Sequence, residues 1–334
     1  MAWPPIPQTL VSSPFPVNFG YTYLQVSNTQ SAATPANFQQ YIQLPSQLSL
    51  NTWPLRFYAD PALTQPLYAW YETPTTVWVL LPNGVPANSS VNVYFNVGAS
   101  DGVYTGMAPY LSSTYGALDN GANVFNFYDN FAGTSLNTNK WLPYSDGFSA
   151  TINNGFTISL SAGQISSGNN AAYVITSQTE FSPSIIAEAY AQGSSAVTRT
   201  RSYMPGLTTT TSTTEGVNIV DQTSYHNMAF SNGRNNVVTY ADFQGSSSAQ
   251  YYNNVASPSN YNIIGLAYTG STNTWYMNYG AVVSSSTDSP SGNVYFALGM
   301  GVYNGNPDAA SMSVYWVRIR AYPPNGVMPT VSLL

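Results

Sequence analysis

The stretch "SSVNVYFNVG", residues 89–98, alternates without a break. Val91, Val93, Phe95 and Val97 fall on one side, and Asn92, Tyr94 and Asn96 on the other. Successive side chains of a strand point to opposite faces, so the pattern is that of a half-buried β-strand. "PLRFYAD" and "TTVWVLLP" read the same way, and "LPNGVPANSS" supplies turn chemistry before the next strand. Later, "GFTISLSAG" sets Phe156, Ile158 and Leu160 on one face. "NTWYMNYGAVV", "NVYFALGMGVY" and "SMSVYWVRIRAY" follow, separated by loops such as "TTTTSTTEG" and "SSSTDSPSG". No window sustains a helical period. Many short strands between Gly, Pro and Asn turns predict an all-β chain with two β-sandwich (jelly-roll-like) domains in tandem.

Punctuation sets the expected boundaries. Residues 1–19 hold Pro4, Pro5, Pro7, Pro14 and Pro16. Proline fixes φ and removes a donor, so these residues form an extended Pro-rich arm. Trp3, Pro4, Pro5 and Phe15 are its candidate assembly anchors on a neighbouring subunit. Residues 20–100 make a first, small sandwich. Residues 101–122, rich in Gly, Ser and Tyr, read as a linker, residues 123–322 as a second sandwich, and residues 323–334 as an extended tail.

Charge narrows the function classes. Charged residues make up 6% of the chain, against a usual ~25%. Lys140 and His226 are the sole residues of their types. With 43% hydrophobic residues and 27 tyrosines, the chain has the material for a core, and its surface is built from neutral polar groups. Thirteen carboxylates leave little to titrate, which predicts stability in acid. A formal charge of −6 with scattered basic residues excludes nucleic acid as a partner. The absence of cysteine removes disulfides, thiol catalysis and Cys-type zinc sites. No run approaches the ~20 apolar residues of a membrane span. The start "MAWPPIPQTLVSSPFPV" has neither a basic beginning nor an apolar run of signal-peptide length.

Two segments resemble known families. "LRFYAD", "PLYAWYE", "VWVLLP" and "VNVYFNVG" are similar to pieces of a small β domain of archaeal and bacterial surface proteins. "FYDNFAGTSLNTNKW" resembles the first strand of a concanavalin A-like (laminin G-like) sandwich, and "YWVRIRAYPPNGVMPTVS" its closing strand. The resemblance implies that the second domain is concanavalin A-like. Its function stays open, since that sandwich serves lectins, glycanases and structural proteins alike.

Glycoside hydrolysis needs two carboxylates roughly 5 to 10 Å apart. In concanavalin A-like glucanases they share one face of one strand. The glutamates here are Glu72, Glu180, Glu188 and Glu215, and none has an acidic neighbour at even spacing. "EFSPSIIAEAYAQG" looks like one alternating strand with Glu180 and Glu188 eight apart and nothing acidic between them. Asp119 and Asp129 are ten apart. Gly98, Ser100 and Gly102 form a nucleophile-elbow pattern after a strand, but no helix follows, and a glycine-rich turn explains it. His226, between Asp221 and Asp242, reads as a hydrogen-bonded strand or loop residue. Asp119, Asn120 and Asn123 are the one set with Ca²⁺-type oxygen ligands, and a turn accounts for them, so the expectation is no metal and no cofactor. Sugar binding needs no charge. Trp275, Met277 and Tyr279 fall on one side of a strand and Tyr276 and Asn278 on the other. Arg318 and Arg320 lie side by side on the last strand, placed to grip a carboxylate or a neighbouring subunit. Trp275, Tyr276, Tyr279, Arg318 and Arg320 are therefore the candidate glycan- or partner-binding residues. Asn88 heads the single glycosylation triplet, Asn88-Ser89-Ser90.

The missing signal and the surface-protein resemblance together lead to one expectation. The chain is a non-enzymatic structural protein on an archaeal virion surface, a capsid-surface, turret or spike subunit. Its partners are copies of itself, other capsid proteins, and a host glycan or pilus. A secreted or cell-surface carbohydrate-binding module is the alternative, and a cryptic glycoside hydrolase the third reading.

Overall fold

The computed structural model describes residues 23–50, 55–97, 103–111, 118–161, 171–193, 200–212, 226–232, 237–244, 248–252, 260–285, 292–302 and 309–334. The expected arm, with Trp3, Pro4, Pro5 and Phe15, lies outside them, as do Gly98, Ser100, Gly102, Glu215 and Asp221. The chain is all-β and divides into two compact units. One comprises the residues up to Tyr128 together with Pro323–Leu334, and the other is Asp129–Tyr322.

The first unit carries β1 (Tyr23–Asn28), β2 (Phe38–Gln43), β3 (Leu55–Tyr58), β4 (Pro66–Leu67), β5 (Ala69–Thr73), β6 (Thr76–Leu81), β7 (Ser89–Val97) and β8 (Thr105–Met107). A one-turn helix α1 (Gly121–Val124) follows, and β9 (Phe127–Asp129) runs across the boundary between the two units. The second unit carries β10 (Trp141–Asp146), β11 (Ser149–Ile152), β12 (Phe156–Leu160), β13 (Ala171–Phe181), β14 (Ile185–Gly193), β15 (Thr200–Thr208) and β16 (His226–Asn232). It continues with β17 (Val237–Gln244), β18 (Ser248–Tyr252), β19 (Asn262–Tyr268), β20 (Asn273–Met277), β21 (Gly280–Ser285), β22 (Val294–Val302) and β23 (Ala310–Ala321). β24 (Thr330–Leu333) belongs to the first unit again.

The first unit stacks the sheet β24-β1-β7-β3-β4 on the sheet β2-β6-β5-β8. The buried Tyr71 hydroxyl spans the two, accepting the Leu55 N–H at 3.2 Å. The far side of the second sheet carries Trp70 and Trp78, which face each other across β5 and β6. Phe125 meets both edge-on, at 5.3 and 5.9 Å. The segment holding Phe125 and Tyr128 thus lies over that side as a third layer, and Trp70 and Trp78 are fully buried.

Two boundaries therefore move. Within the expected linker, β8 pairs in parallel with β5. The expected tail contains β24, which pairs antiparallel with β1. Gly and Ser content suggested a linker in the first case. Gly106 is instead required by packing, because a Cβ there would come within 2.3 Å of Asn120.

The second unit stacks the sheet β10-β13-β22-β15-β16-β17-β18 on the sheet β11-β12-β23-β14-β19-β20-β21. Aromatic rings tie the layers together. Phe131 stacks on Trp141 and on Phe156, Trp141 meets Phe296, and Phe156 meets Tyr173. Phe156 thereby marks the inner face of the eight-stranded sheet. The register carries that face across the strands: Val314 lies opposite Phe156, and Ala191 opposite Val314. Beyond a bulge at Tyr315, Val317 pairs with Ala189 and Ile319 with Ala187, as an extra residue in one strand requires. Leu266 and Trp275 extend the row through β19 and β20.

The stretch read as one strand from Glu180 to Gly193 is two strands in two sheets. β13 ends at Phe181, the chain turns at Pro183 and Ser184, and β14 begins at Ile185. Ser184 takes φ 74° to make the turn. Glu180 and Glu188 therefore never share a strand face.

Candidate functional site

Inner residues alternate with outer ones, so the remaining positions of the same strands define the outer face of the eight-stranded sheet. On β14 these are Ile186, Glu188 and Tyr190, and on β23 they are Trp316, Arg318 and Arg320. Gly265 on β19 and Tyr276 on β20 complete the set. Glu188 lies directly opposite Arg318 on one side and Gly265 on the other. Gly265 leaves the room this needs, since a Cβ there would meet Tyr276 at 3.2 Å and the Glu188 side chain at 3.4 Å.

Both arginines close on one carboxylate. Arg318 Nε donates to Glu188 Oε2 at 2.6 Å. Arg320 donates to Glu188 Oε1 through Nε at 3.1 Å and through Nη2 at 2.8 Å. Arg318 Nη2 donates to the Tyr279 hydroxyl at 2.7 Å, and its guanidinium lies 4.6 Å from the Trp316 ring centre. Glu188 is 1% exposed, Arg318 0% and Arg320 5%. Burial pushes the Glu188 carboxyl up, but Arg318 and Arg320 outweigh it and hold it below the usual carboxylate range.

Further along the face is an uncharged aromatic group. Tyr190 lies near-parallel to Tyr315 and Trp316, at 5.9 and 5.7 Å. Tyr261 stacks on Tyr315 at 4.5 Å. Burial, with Tyr315 beside it, pushes the Tyr261 hydroxyl up to about 12. These tyrosines are half-buried and offer rings and hydroxyls without charge.

The candidates from the sequence separate here. Arg318 and Arg320 do lie side by side, and the carboxylate they hold is the chain's own Glu188. Tyr276 and Tyr279 join them, but Trp275 does not, being fully buried on the inner face. The expected row of Trp275, Met277 and Tyr279 breaks because β20 turns into β21 at Asn278 and Tyr279. Both take positive φ, 49° and 71°, as the tight turns favoured by two-residue hairpins require. That turn swings Tyr279 to Arg318. Sequence reading noted Glu188 only as a lone acid. The signal for its role was the even spacing of Trp316, Arg318 and Arg320.

The calcium-type set is otherwise engaged. Asp119 Oδ1 accepts from Trp70 Nε1 and from the Gly121 N–H, each at 2.9 Å. Asp119 Oδ2 accepts from the Tyr128 hydroxyl at 2.6 Å, and Asn123 Nδ2 donates to Asn120 Oδ1 at 2.6 Å. The same use of a carboxylate recurs at Glu72 with Trp78 Nε1 and at Asp129 with Trp141 Nε1. His226 opens β16 opposite Phe243, and Asp242 lies on β17. Asn88 is exposed in a left-handed turn conformation, φ 47°. Among the described residues no three His, Cys, Asp or Glu side chains cluster to hold a metal, and no helix is long and apolar enough to cross a membrane.

Over 350 aligned residues, the chain is 31% identical to Uncharacterized protein 562 of Sulfolobus islandicus rod-shaped virus 1. The alignment takes in 92% of this chain, which spans 58% of the length of that viral protein. No family model matches. The endo-β-1,3-glucanase of Pyrococcus furiosus superimposes with a TM-score of 0.44 at 16% identity, over 59% of this chain and 94% of the enzyme. The Bacillus licheniformis β-glucanase gives 0.44 at 15% identity, over 58% and 97%. Likeness at that level transfers none of the activities of those proteins.

Proposed function

We propose that this chain is a structural protein of an archaeal virus particle, displayed at the particle surface and without catalytic function. The viral part of the reading is supported by the similarity to the rod-shaped virus protein. The observation that carries the non-catalytic part is the caging of Glu188. A catalytic carboxylate must be free to attack or to exchange a proton. Glu188 has both oxygens bonded to arginines and is shut from solvent. With charged residues only 6% of the chain, the surface keeps its character in acid and salt, while tyrosine and tryptophan supply rigid contact area. Further copies, other particle proteins and a host glycan or pilus are the partners this reading assigns.

Immunogold labelling and mass spectrometry of purified particles test it. The expected result is the protein in washed particles, with gold on their outside. Its presence in infected cells and absence from particles would overturn the viral structural role. Release of reducing ends from β-glucans by the purified chain, above buffer background, would overturn the non-catalytic part.

One observation favours glycan binding as a second reading. Tyr190, Tyr261 and Tyr315 form a half-buried, uncharged aromatic group on the outer sheet face. Glycan-array binding abolished by Tyr261→Ala would support it, and an array without hits would remove it.

A further inference from the structure

β24 forms one edge of the five-stranded sheet in the first unit. In its ladder with β1, Tyr23 and Leu334 exchange both N–H···O bonds, at 3.3 and 3.0 Å. Antiparallel pairs alternate between bonded and non-bonded. Thr330 and Ser332 therefore also turn their main-chain groups toward β1, and Val331 and Leu333 turn theirs outward. Neither outward residue has a main-chain partner among the described residues.

The apolar row stops at the same place. Val331 lies opposite Val26, and Leu333 opposite Leu24. Val26 and Leu24 are 0% and 1% exposed, whereas Val331 and Leu333 are only half-buried. Val327 and Leu334, which flank the strand, are each 45% exposed. The other edge of the sheet is guarded: β4 is two residues long and begins with Pro66. Short edges, prolines and charges are the usual protection of an edge. β24, β1 and β7 contain no Asp, Glu, Lys or Arg.

We propose that β24 is a self-pairing edge, at which two copies of this chain join antiparallel about a twofold axis through Ser332. The register decides for a second copy. With the axis at Ser332, Val331 faces Leu333 of the partner subunit, and the two exchange both main-chain bonds. Symmetry repeats the exchange, so every outward group of β24 is satisfied. An axis at Val331 would instead set Leu333 against Pro329, which has no N–H to donate. The chosen register also runs the apolar row Val93, Leu24, Leu333 onward through Val331 of the partner subunit. It covers Leu334 and opposes no like charges. The contact is isologous. A pairing of four residues a side is smaller than the roughly 1,600 Å² of a standard interface, so the dimer is expected to depend on concentration.

The chain has no cysteine, so a single introduced thiol reports the contact. Non-bonded antiparallel positions have Cα atoms about 4.5 Å apart, within disulfide range. Ser332→Cys is expected to give a covalent dimer on mild oxidation, and Thr330→Cys is not. Sedimentation of the unmodified chain is expected to rise from one chain mass toward two with concentration. Val331→Pro with Leu333→Pro, whose N–H groups face away from β1, should stay at one mass with an unchanged circular dichroism spectrum. Leu333→Lys repeats the test without proline. Equal cross-linking by the two cysteine variants, or a mass that stays single at several hundred micromolar, would overturn the proposal. So would a dimer that survives the proline and lysine variants but is lost when residues 1–19 are deleted.

Discussion

Both faces of the eight-stranded sheet bury side chains near their middle, and they do so with opposite chemistry. The inner face is Phe156, Val314, Ala189, Ile319, Leu266 and Trp275, which need only area and fit. The outer face sets Glu188, Arg318 and Arg320 among Trp316, Tyr276 and Tyr279. Apolar groups gain by leaving water whatever their neighbours. Charges gain nothing by burial unless paired, and a broken pair leaves an uncompensated charge in a poor solvent. One face thus tolerates conservative change anywhere, while the other stands or falls with one carboxylate.

The largest effect that separates the faces follows directly. Glu188→Ala should cost about 3–5 kcal/mol by stranding two buried guanidinium groups. Trp275→Ala should cost a similar ~3–5 kcal/mol by opening a cavity on the inner face. Repair distinguishes them. Replacing Glu188, Arg318 and Arg320 together by Leu, Met and Met should recover most of the outer loss. No substitution elsewhere should refill the Trp275 cavity. Chemical denaturation of the four proteins checks this, and a triple variant as unstable as Glu188→Ala would break the comparison.

How much of this was legible beforehand depended on what alternation encodes. Val91, Val93 and Phe95 announced a strand with one buried side, and β7 bears that out at Val93 and Phe95. Alternation names two faces without saying that both are covered. Arg318 and Arg320 therefore looked like a partner-facing pair, when they bind the chain's own Glu188. The partner of an arginine on β23 lies about 130 residues away, and such a pairing follows from register, which no local pattern carries. Turns hid in strand-like text for the same reason. Asn278 and Tyr279 read as a continuing strand, yet the chain reverses there and brings Tyr279 to Arg318. The crossing at Ser184 was hidden too, because Pro183 was its sole mark within "EFSPSIIAEAY".

Acid gives a second, smaller separation of the faces. Glu188 is held below its unfolded value, which is near 4.3. Its stabilisation is thus complete above about pH 4.3 and is lost as pH falls through the lowered folded value. The inner face has no such dependence. The melting-temperature gap between the wild type and Glu188→Gln should be flat from neutrality to mild acid and narrower near pH 2. The gap for Trp275→Ala should track neither limb. A Glu188→Gln gap that widened on acidification would mean that the carboxylate is not the group holding the arginines.

The smallest expected effect sharpens the comparison most, because it probes the outer face without unpairing its charges. Tyr279→Phe keeps the ring beside Arg318 and removes the hydroxyl that Arg318 Nη2 reaches at 2.7 Å. Hydrogen bonds to charged groups contribute about 1.5–3 kcal/mol. Tyr279 sits in a turn and is only half-buried, so water can take the vacated place and the loss should fall near or below the lower end, about 1–1.5 kcal/mol. The Arg318–Glu188 pair is untouched, so the acid dependence of stability should be that of the wild type. If Tyr279→Phe instead matched Glu188→Ala in size, the hydroxyl and the carboxylate would form one inseparable network, and burial rather than pairing would set the cost of this face.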